Sequence, residues 1–230
     1  MARPWADDSE LFTLMRRDLF TAVIGDVLDK MGFLQQFLPP YLKPLRDDMT
    51  IVGRAMPVLE ADVLGEAVGG QNPLLNKSFG MMLEALDDLK QDEVYICSGS
   101  SPDYALWGGL MSTRAKHLGA AGAVLDGYSR DTPEILELSF PVFSLGRYAQ
   151  DQGPRGKVLD FRVPIQFGQV KVNVGDIIFA DIDGVLVIPK VAEEEAIRRA
   201  IEKVSGENRV RDAIRAGMST VEAFAKYGVM

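Results

Sequence analysis

Between Trp107 and Asp131 the stretch WGGLMSTRAKHLGAAGAVLDGYSRD places two sets of chemically capable residues at opposite ends of one helix–strand unit. Gly108 and Gly109 stand where a helix starts, so the backbone N–H groups of Leu110 and Met111 can approach an anion with the positive end of the helix dipole behind them. A carboxylate suits that cradle, and close packing of the helix around two small residues fits the same pattern. At the other end the strand AVLDGY runs into Ser129-Arg130-Asp131, at the carboxyl edge where open α/β sheets gather ligands. A guanidinium matches a carboxylate in shape, and one aspartate holds Mg²⁺ when waters and an oxygen-rich ligand complete its octahedron. A surface turn closed by an Arg130–Asp131 ion pair is the competing explanation.

Other signals for chemistry are sparse. The sequence has no phosphate-binding loop, no Gly-x-Ser-x-Gly elbow, no His-Glu-x-x-His and no paired cysteines. His117 is the one histidine, and its place near a helix C-terminus suits an interaction with the dipole better than catalysis. Cys97, inside EVYICSG, reads as a small buried hydrophobe, and a lone cysteine excludes a disulfide framework. With 47% hydrophobic and 25% charged residues over 230 positions, the chain can bury a substantial core. Its net charge of −8 opposes phosphate backbones, so nucleic acid is not an expected partner. Asp181, Asp183 and Gly184 interrupt DIIFADIDGVLVIP, the run nearest to a membrane span, and no membrane association is expected. Asp7, Asp8 and Glu10 precede any apolar run, so a secretory segment is not expected and a cytoplasmic location is.

The elements that must position these residues follow from patterning. Ser9 is expected to cap a first helix to about Phe20, and Thr21 a second that ends before Gly32. FLPPYLKPLRDDM is too rich in proline for a helix and leads into the strand TIVGRAMPVLEADVL; GGQNP marks a loop. From Ser78 helices and strands alternate: GMMLEALDDLK, EVYICSG, ALWGGLMSTRAKHLG, AVLDGY, a helix capped by Thr132 with Pro133 in its first turn, and PVFSLG. After about residue 156 strands follow one another, KVLDFRVPIQFGQVKVN and then IIFAD and GVLVIP in a hairpin, which predicts an antiparallel portion. The tail from Val191 is helical, with Glu194/Arg198 and Glu195/Arg199 at i,i+4 and a capping box at Ser219 and Glu222. The expectation is one α/β domain over residues 1–230 with C-terminal helices from about residue 191.

The DGYSRD motif with its preceding Gly119 and Gly122, together with TAVIGDVLDKMG, VNVGDIIFADIDGVLVIP and ENRVRDAIRAGMSTVEAFAKYGVM, resembles the family of 4-hydroxy-4-methyl-2-oxoglutarate aldolases and RraA-like proteins over nearly the whole chain. The resemblance implies an α/β/β/α sandwich around a mixed central sheet, assembled as a homotrimer or hexamer. It implies that Asp131 binds a divalent metal, Mg²⁺ or Mn²⁺, that Arg130 contacts the pyruvate-like part of a small 2-oxo acid, and that the backbone at Gly108, Gly109, Leu110 and Met111 receives its carboxylate. It implies a catalytic role for Glu207 at a neighbouring subunit's site, against an ordinary helix-surface pair with Arg211. Asp126 is assigned a supporting role, orienting the turn beneath Arg130 through an Asx-type bond. The implied activity is a metal-dependent carbon–carbon lyase, cleaving an aldol to pyruvate or decarboxylating oxaloacetate through an enolate. Non-enzymatic regulators of ribonuclease E are the family's other branch, and a family member acting on a different small acid is a third reading. Family aldolases usually carry an acid where this chain has Gly109, which predicts weakened proton transfer.

Overall fold

A computed structural model describes residues 3–65 and 71–228, so the first part of the expected GGQNP loop lies outside the described residues. The contacts divide the chain into two compact units, one of residues up to Leu34 together with those from Val191, the other Gln35–Lys190.

The central unit is an α/β sandwich around a mixed sheet. Its strands are β1 (Lys43–Pro44), β2 (Ile51–Asp62), β3 (Glu93–Ser98), β4 (Ala105–Trp107), β5 (Gly122–Leu125), β6 (Tyr128–Ser129), β7 (Val142–Ser144), β8 (Gly156–Phe161), β9 (Ile165–Phe167), β10 (Val170–Val172), β11 (Ile177–Asp181) and β12 (Gly184–Ile188). The sheet runs β1-β7-β5-β3-β2-β11-β12, with β8 also paired to β2. The pairs β2–β3, β3–β5 and β5–β7 are parallel. The pairs β2–β8, β2–β11 and β11–β12 are antiparallel, as the helix-free run after residue 156 predicts, and β1–β7, formed outside that run, is antiparallel as well. Every residue of β5 and all but the first of β3 are buried, the mark of strands covered on both faces, which is why they read as unbroken apolar runs. In the β11–β12 hairpin Asp181 faces Gly184 across the two-residue turn Ile182-Asp183.

Among the described residues three α-helices serve this unit: α3 (Met82–Asp87), α4 (Gly109–His117) and α5 (Thr132–Leu138). The expected helix ALWGGLMSTRAKHLG is too long, because Ala105–Trp107 is a strand whose side chains are all buried, and helix geometry begins only at Gly109. The cap of α5 is Asp131, in the left-handed region at φ 56°, and Thr132 is already inside the helix.

The second unit is helical: α1 (Asp8–Asp18), α2 (Thr21–Lys30), α6 (Glu193–Arg215) and α7 (Thr220–Tyr227). Asp7, not Ser9, caps α1, accepting from the Glu10 amide at 3.0 Å. Thr21 is a buried residue of α2, whose N-cap Phe20 contributes no side-chain bond. The C-terminal extension forms as expected, including the Ser219–Glu222 capping box. On α6 Glu195 pairs with Arg199 at 2.6 Å, while Arg198 turns to Glu195 and Glu202 instead of Glu194. Among the described residues no helix is long and apolar enough to cross a membrane.

Candidate active site

Twenty residues separate Gly109 from Arg130 in sequence, yet the short parallel ribbon β4–β6 makes their neighbourhoods adjacent. Trp107 and Ser129 are in register, and the Arg130 amide donates to the Trp107 carbonyl at 2.9 Å. Trp107 anchors the ribbon in the core: its ring lies 4.9 Å from Tyr95 and 5.9 Å from Phe140, and its Nε1 donates to Ser112 Oγ at 2.6 Å. Ser112 Oγ in turn donates to the Gly108 carbonyl at 3.1 Å, fixing the first turn of α4. A rigid aromatic base therefore carries both halves of the WGGLM…SRD motif.

Asp131 Oδ2 accepts the Gly109 amide at 3.1 Å and lies 3.9 Å from Arg130 Nε. No side chain of the N-cap Gly108 caps α4, and the N–H groups of Leu110 and Met111 are first-turn donors without an intrahelical acceptor. A β-carbon at Gly108 would lie 2.7 Å from Asp131 Oδ2, so glycine is required there for the close approach of the carboxylate. The cradle and the Arg130-Asp131 turn thus share one place. They border a cavity of about 260 Å³ whose apolar wall comes from Phe79, Met82, Leu83, Leu86 and Trp107.

Two residues lining the cavity, Asp151 and Gln152, and two acids beside it, Glu60 and Glu134, are reached without a motif in the sequence. Asp151 reaches it because the chain at Gln150–Asp151 runs beside Ala105, and its Oδ1 pairs with Arg130 Nη1 at 2.9 Å. This second partner holds the guanidinium over the cavity, so Arg130 is not in a turn closed by Asp131 alone. Gln152, also lining the cavity, donates through Nε2 to the buried Glu60 Oε2 at 2.5 Å. Burial pushes the Glu60 carboxyl up to about 8, against the opposing hydrogen bonds from Cys97 and Gln152. In the sequence Glu60 is signalled only as a charge inside the otherwise apolar run MPVLEA. Glu134 lies outside the cavity lining, in the first turn of α5 against Gly109.

Asp126 does not form an Asx bond with the turn. Its Oδ2 accepts from Ser98 Oγ at 2.9 Å and its Oδ1 from Tyr41 at 3.3 Å, with Ser98 brought to it by the parallel pairing of β3 and β5. Glu207 lies on α6 in the helical unit and pairs with Lys203 at 2.9 Å, not with Arg211, which bonds Asn208. His117 closes the last turn of α4 with Arg114 and Lys116, where cations meet the negative end of the dipole. Cys97 is wholly buried, and burial holds its thiol well above the usual range.

A larger hollow of about 640 Å³ lies within the helical unit, bordered by Asp26, Lys30, Arg199, Lys203 and Arg209. Lys203 there is tied to Asp26 at 2.5 Å as well as to Glu207, and Arg199 to Glu195 at 2.6 Å, so these two cations are already committed to carboxylates. Groups able to bind a carboxylate and a cation together concentrate in the smaller cavity, where a helix N-terminus, Arg130 and Asp131 converge. Among the described residues, no three His, Cys, Asp or Glu side chains gather to hold a metal by themselves.

Residues 21–187 match the family described as RraA-like: Aldolase/RraA. The chain belongs to the RraA-like family. An RraA-like relative from Halalkalibacterium halodurans named "Putative 4-hydroxy-4-methyl-2-oxoglutarate aldolase" is 30% identical over 213 residues, 93% of each chain. Protein DlpA of Legionella pneumophila is 30% identical over 209 residues, 90% of this chain, which spans only 32% of DlpA's length. Among solved structures, one described as "Crystal structure of novel cellulases from microbes associated with the gut ecosystem" has 31% identity and a TM-score of 0.80, covering 91% of this chain and 90% of its own. RraAS2 of Streptomyces coelicolor, described as an unusual member of the RNase ES inhibitor RraA family, shares the RraA-like fold at 23% identity and a TM-score of 0.75, covering 90% of this chain and 99% of its own.

Proposed function

We propose that this chain is a divalent-metal-dependent lyase of small 2-oxo acids that forms pyruvate through an enolate. The observation that carries the reading is the convergence on one cavity of Arg130, Asp131 and the α4 N-terminus, whose Leu110 and Met111 amides have no intrahelical acceptor. The donor set fits Mg²⁺ or Mn²⁺ in a restricted sense: Asp131 uses Oδ2 for the Gly109 amide, and among the described residues Oδ1 accepts no hydrogen bond. One carboxylate suffices for an ion that keeps waters and takes its remaining oxygens from the substrate. When bound, such an ion supplies a Lewis acid beside the substrate's 2-oxo group.

The chain's own residues would do the following. The N–H groups of Leu110 and Met111 bind the substrate carboxylate, using donors that the helix leaves over and the favourable end of its dipole. Arg130, held by Asp151, presents its fork to the oxygen that gains negative charge as the enolate forms. Phe79, Met82 and Leu86 exclude water from one side of the cavity, which strengthens those interactions.

The relative named as an aldolase supports this reading, and the assembly we assign is a homotrimer or a multiple of three, with Glu207 available to a neighbouring copy. The test is pyruvate release from hydroxylated 2-oxo diacids and from oxaloacetate with Mg²⁺ or Mn²⁺, with chelator controls. Chelator-sensitive release is expected, and no release from any of these substrates would overturn the reading, leaving a protein-binding regulator or a member acting on a different small acid.

A further inference from the structure

Two carboxylates leave the start of α5 for the start of α4, and the proposed enolate chemistry employs only Asp131. The other is Glu134. A β-carbon built on Gly109 would fall inside the Glu134 carboxylate, with the farther oxygen, Oε1, only 3.0 Å away. Asp131 therefore packs on the amide of Gly109 and Glu134 on its α-carbon, so a single glycine receives both acids.

Glu134 occupies the third position of α5, from which a glutamate commonly reaches back to bond the N-cap amide. No such bond forms, and among the described residues its carboxylate has no hydrogen-bond or ion-pair partner. The neighbouring acids are engaged: Asp151 with Arg130, Asp126 with Ser98 and Tyr41, and Glu60 in the core with Gln152. Glu134 is thus the carboxylate at the α4–α5 junction that is exposed, unspent, and held beside the cradle by the absence of a side chain at position 109.

Resting on the lyase reading, we infer that Glu134 is the general base of the carbon–carbon cleavage. Its carboxylate takes the proton of the substrate's hydroxyl at the carbon beyond the scissile bond. That oxygen's electron pair forms the carbonyl of the departing 2-oxo acid, the C–C bond breaks, and its electron pair passes into the enolate beside Arg130. The proton then returns from Glu134 to the enolate carbon, giving the second 2-oxo acid and restoring the carboxylate. No water or redox partner is consumed. Decarboxylation of oxaloacetate has no hydroxyl proton to remove and needs only the enolate half of the site.

A side chain at position 109 and the present pose of Glu134 exclude one another, so Gly109→Glu in the wild-type background would displace Glu134 instead of adding a second acid. Four proteins test this: wild type, Glu134→Gln, Gly109→Glu, and Gly109→Glu with Glu134→Ala. Each is assayed for cleavage of a hydroxylated 2-oxo diacid, for oxaloacetate decarboxylation, and for Mn²⁺ affinity by titration calorimetry. Glu134→Gln is expected to lower the ratio of cleavage to decarboxylation by about 10²–10⁴-fold, the usual worth of a general base, with Mn²⁺ affinity retained. The double variant is expected to recover part of that ratio, since it returns a carboxylate to the same space. An unchanged ratio in Glu134→Gln, or an equal fall in both activities together with lost Mn²⁺ affinity, would overturn the assignment of Glu134 alone. A wild type inactive on both substrates would instead overturn the lyase reading and this inference with it.

Discussion

Asp131 is asked to do three things: cap α5 from the left-handed region, accept the Gly109 amide, and present its free oxygen to the cavity. Asn tolerates the left-handed conformation and keeps an acceptor for the amide. Asp131→Asn is therefore expected to stay folded, within about 0.5 kcal/mol of wild type by denaturant titration, and to lose metal-dependent turnover. Arg130→Lys should also lose turnover, because a point charge cannot bridge Asp151 and the substrate as the planar fork does. Normal kinetics in either variant would reassign the turn to structure. Glu60 makes a prediction about pH. Burial raises its folded-state pKa from 4.5 to about 8, so between those values the folded chain holds a proton that the unfolded chain releases. Stability from this group is present below about pH 4.5, declines as pH rises, and is gone above about 8. Glu60→Gln should remove that decline, a difference on the order of a few kcal/mol between pH 5 and 8.5 in matched chemical denaturation curves.

At the scale of elements, the cavity wall depends on how α3 is delivered to β8. Gly80, at φ 63°, passes so close to Val158 that a β-carbon would overlap its carbonyl oxygen and lie 3.1 Å from its amide nitrogen. Both atoms belong to a strand of the sheet, and Met81 donates to the same carbonyl at 2.9 Å, so the backbone has no room to give. Gly80→Ala is expected to cost more than about 1 kcal/mol and to shift Phe79 and Met82 from the cavity wall. Thermal unfolding should show a lowered Tm, and KM for the 2-oxo acid should rise more than kcat falls. The ribbon β4–β6 matters in the same way, since its register places the α4 start beside Arg130.

At the scale of the whole molecule, a single chain contributes one candidate metal carboxylate to the cavity, and Glu207, on α6, is not among the residues that line it. Such a site gains from an acid offered by another copy. Light scattering is expected to give a mass of three, or a multiple of three, times the 25.3 kDa chain. A monomer that turns over normally would remove Glu207 from the mechanism and place every catalytic group within one chain.

Local chemistry determined much of this protein from sequence alone. The unbroken apolar runs of β3 and β5, the β11–β12 hairpin, the Ser219 capping box and the helix start at Gly109 each depend on residues near one another in the chain. Their physical causes act over a few positions, as hydrophobic period, turn geometry or capping, and so remain legible without the fold. Tertiary structure decided what depends on distant approach. Asp151 reaches Arg130 because its segment runs beside β4, Glu60 becomes proton-holding because the sheet buries it, and Asp126 turns to Ser98 because β5 lies against β3. Local patterning misreads ALW as helix for the same reason, as pairing with β6 and burial around Trp107 outweigh local helix preference. Gly109 shows the division most plainly. In sequence it is a missing side chain, and in the fold it is the space that Glu134 fills, because only the packing of α5 on α4 determines what lies over a glycine.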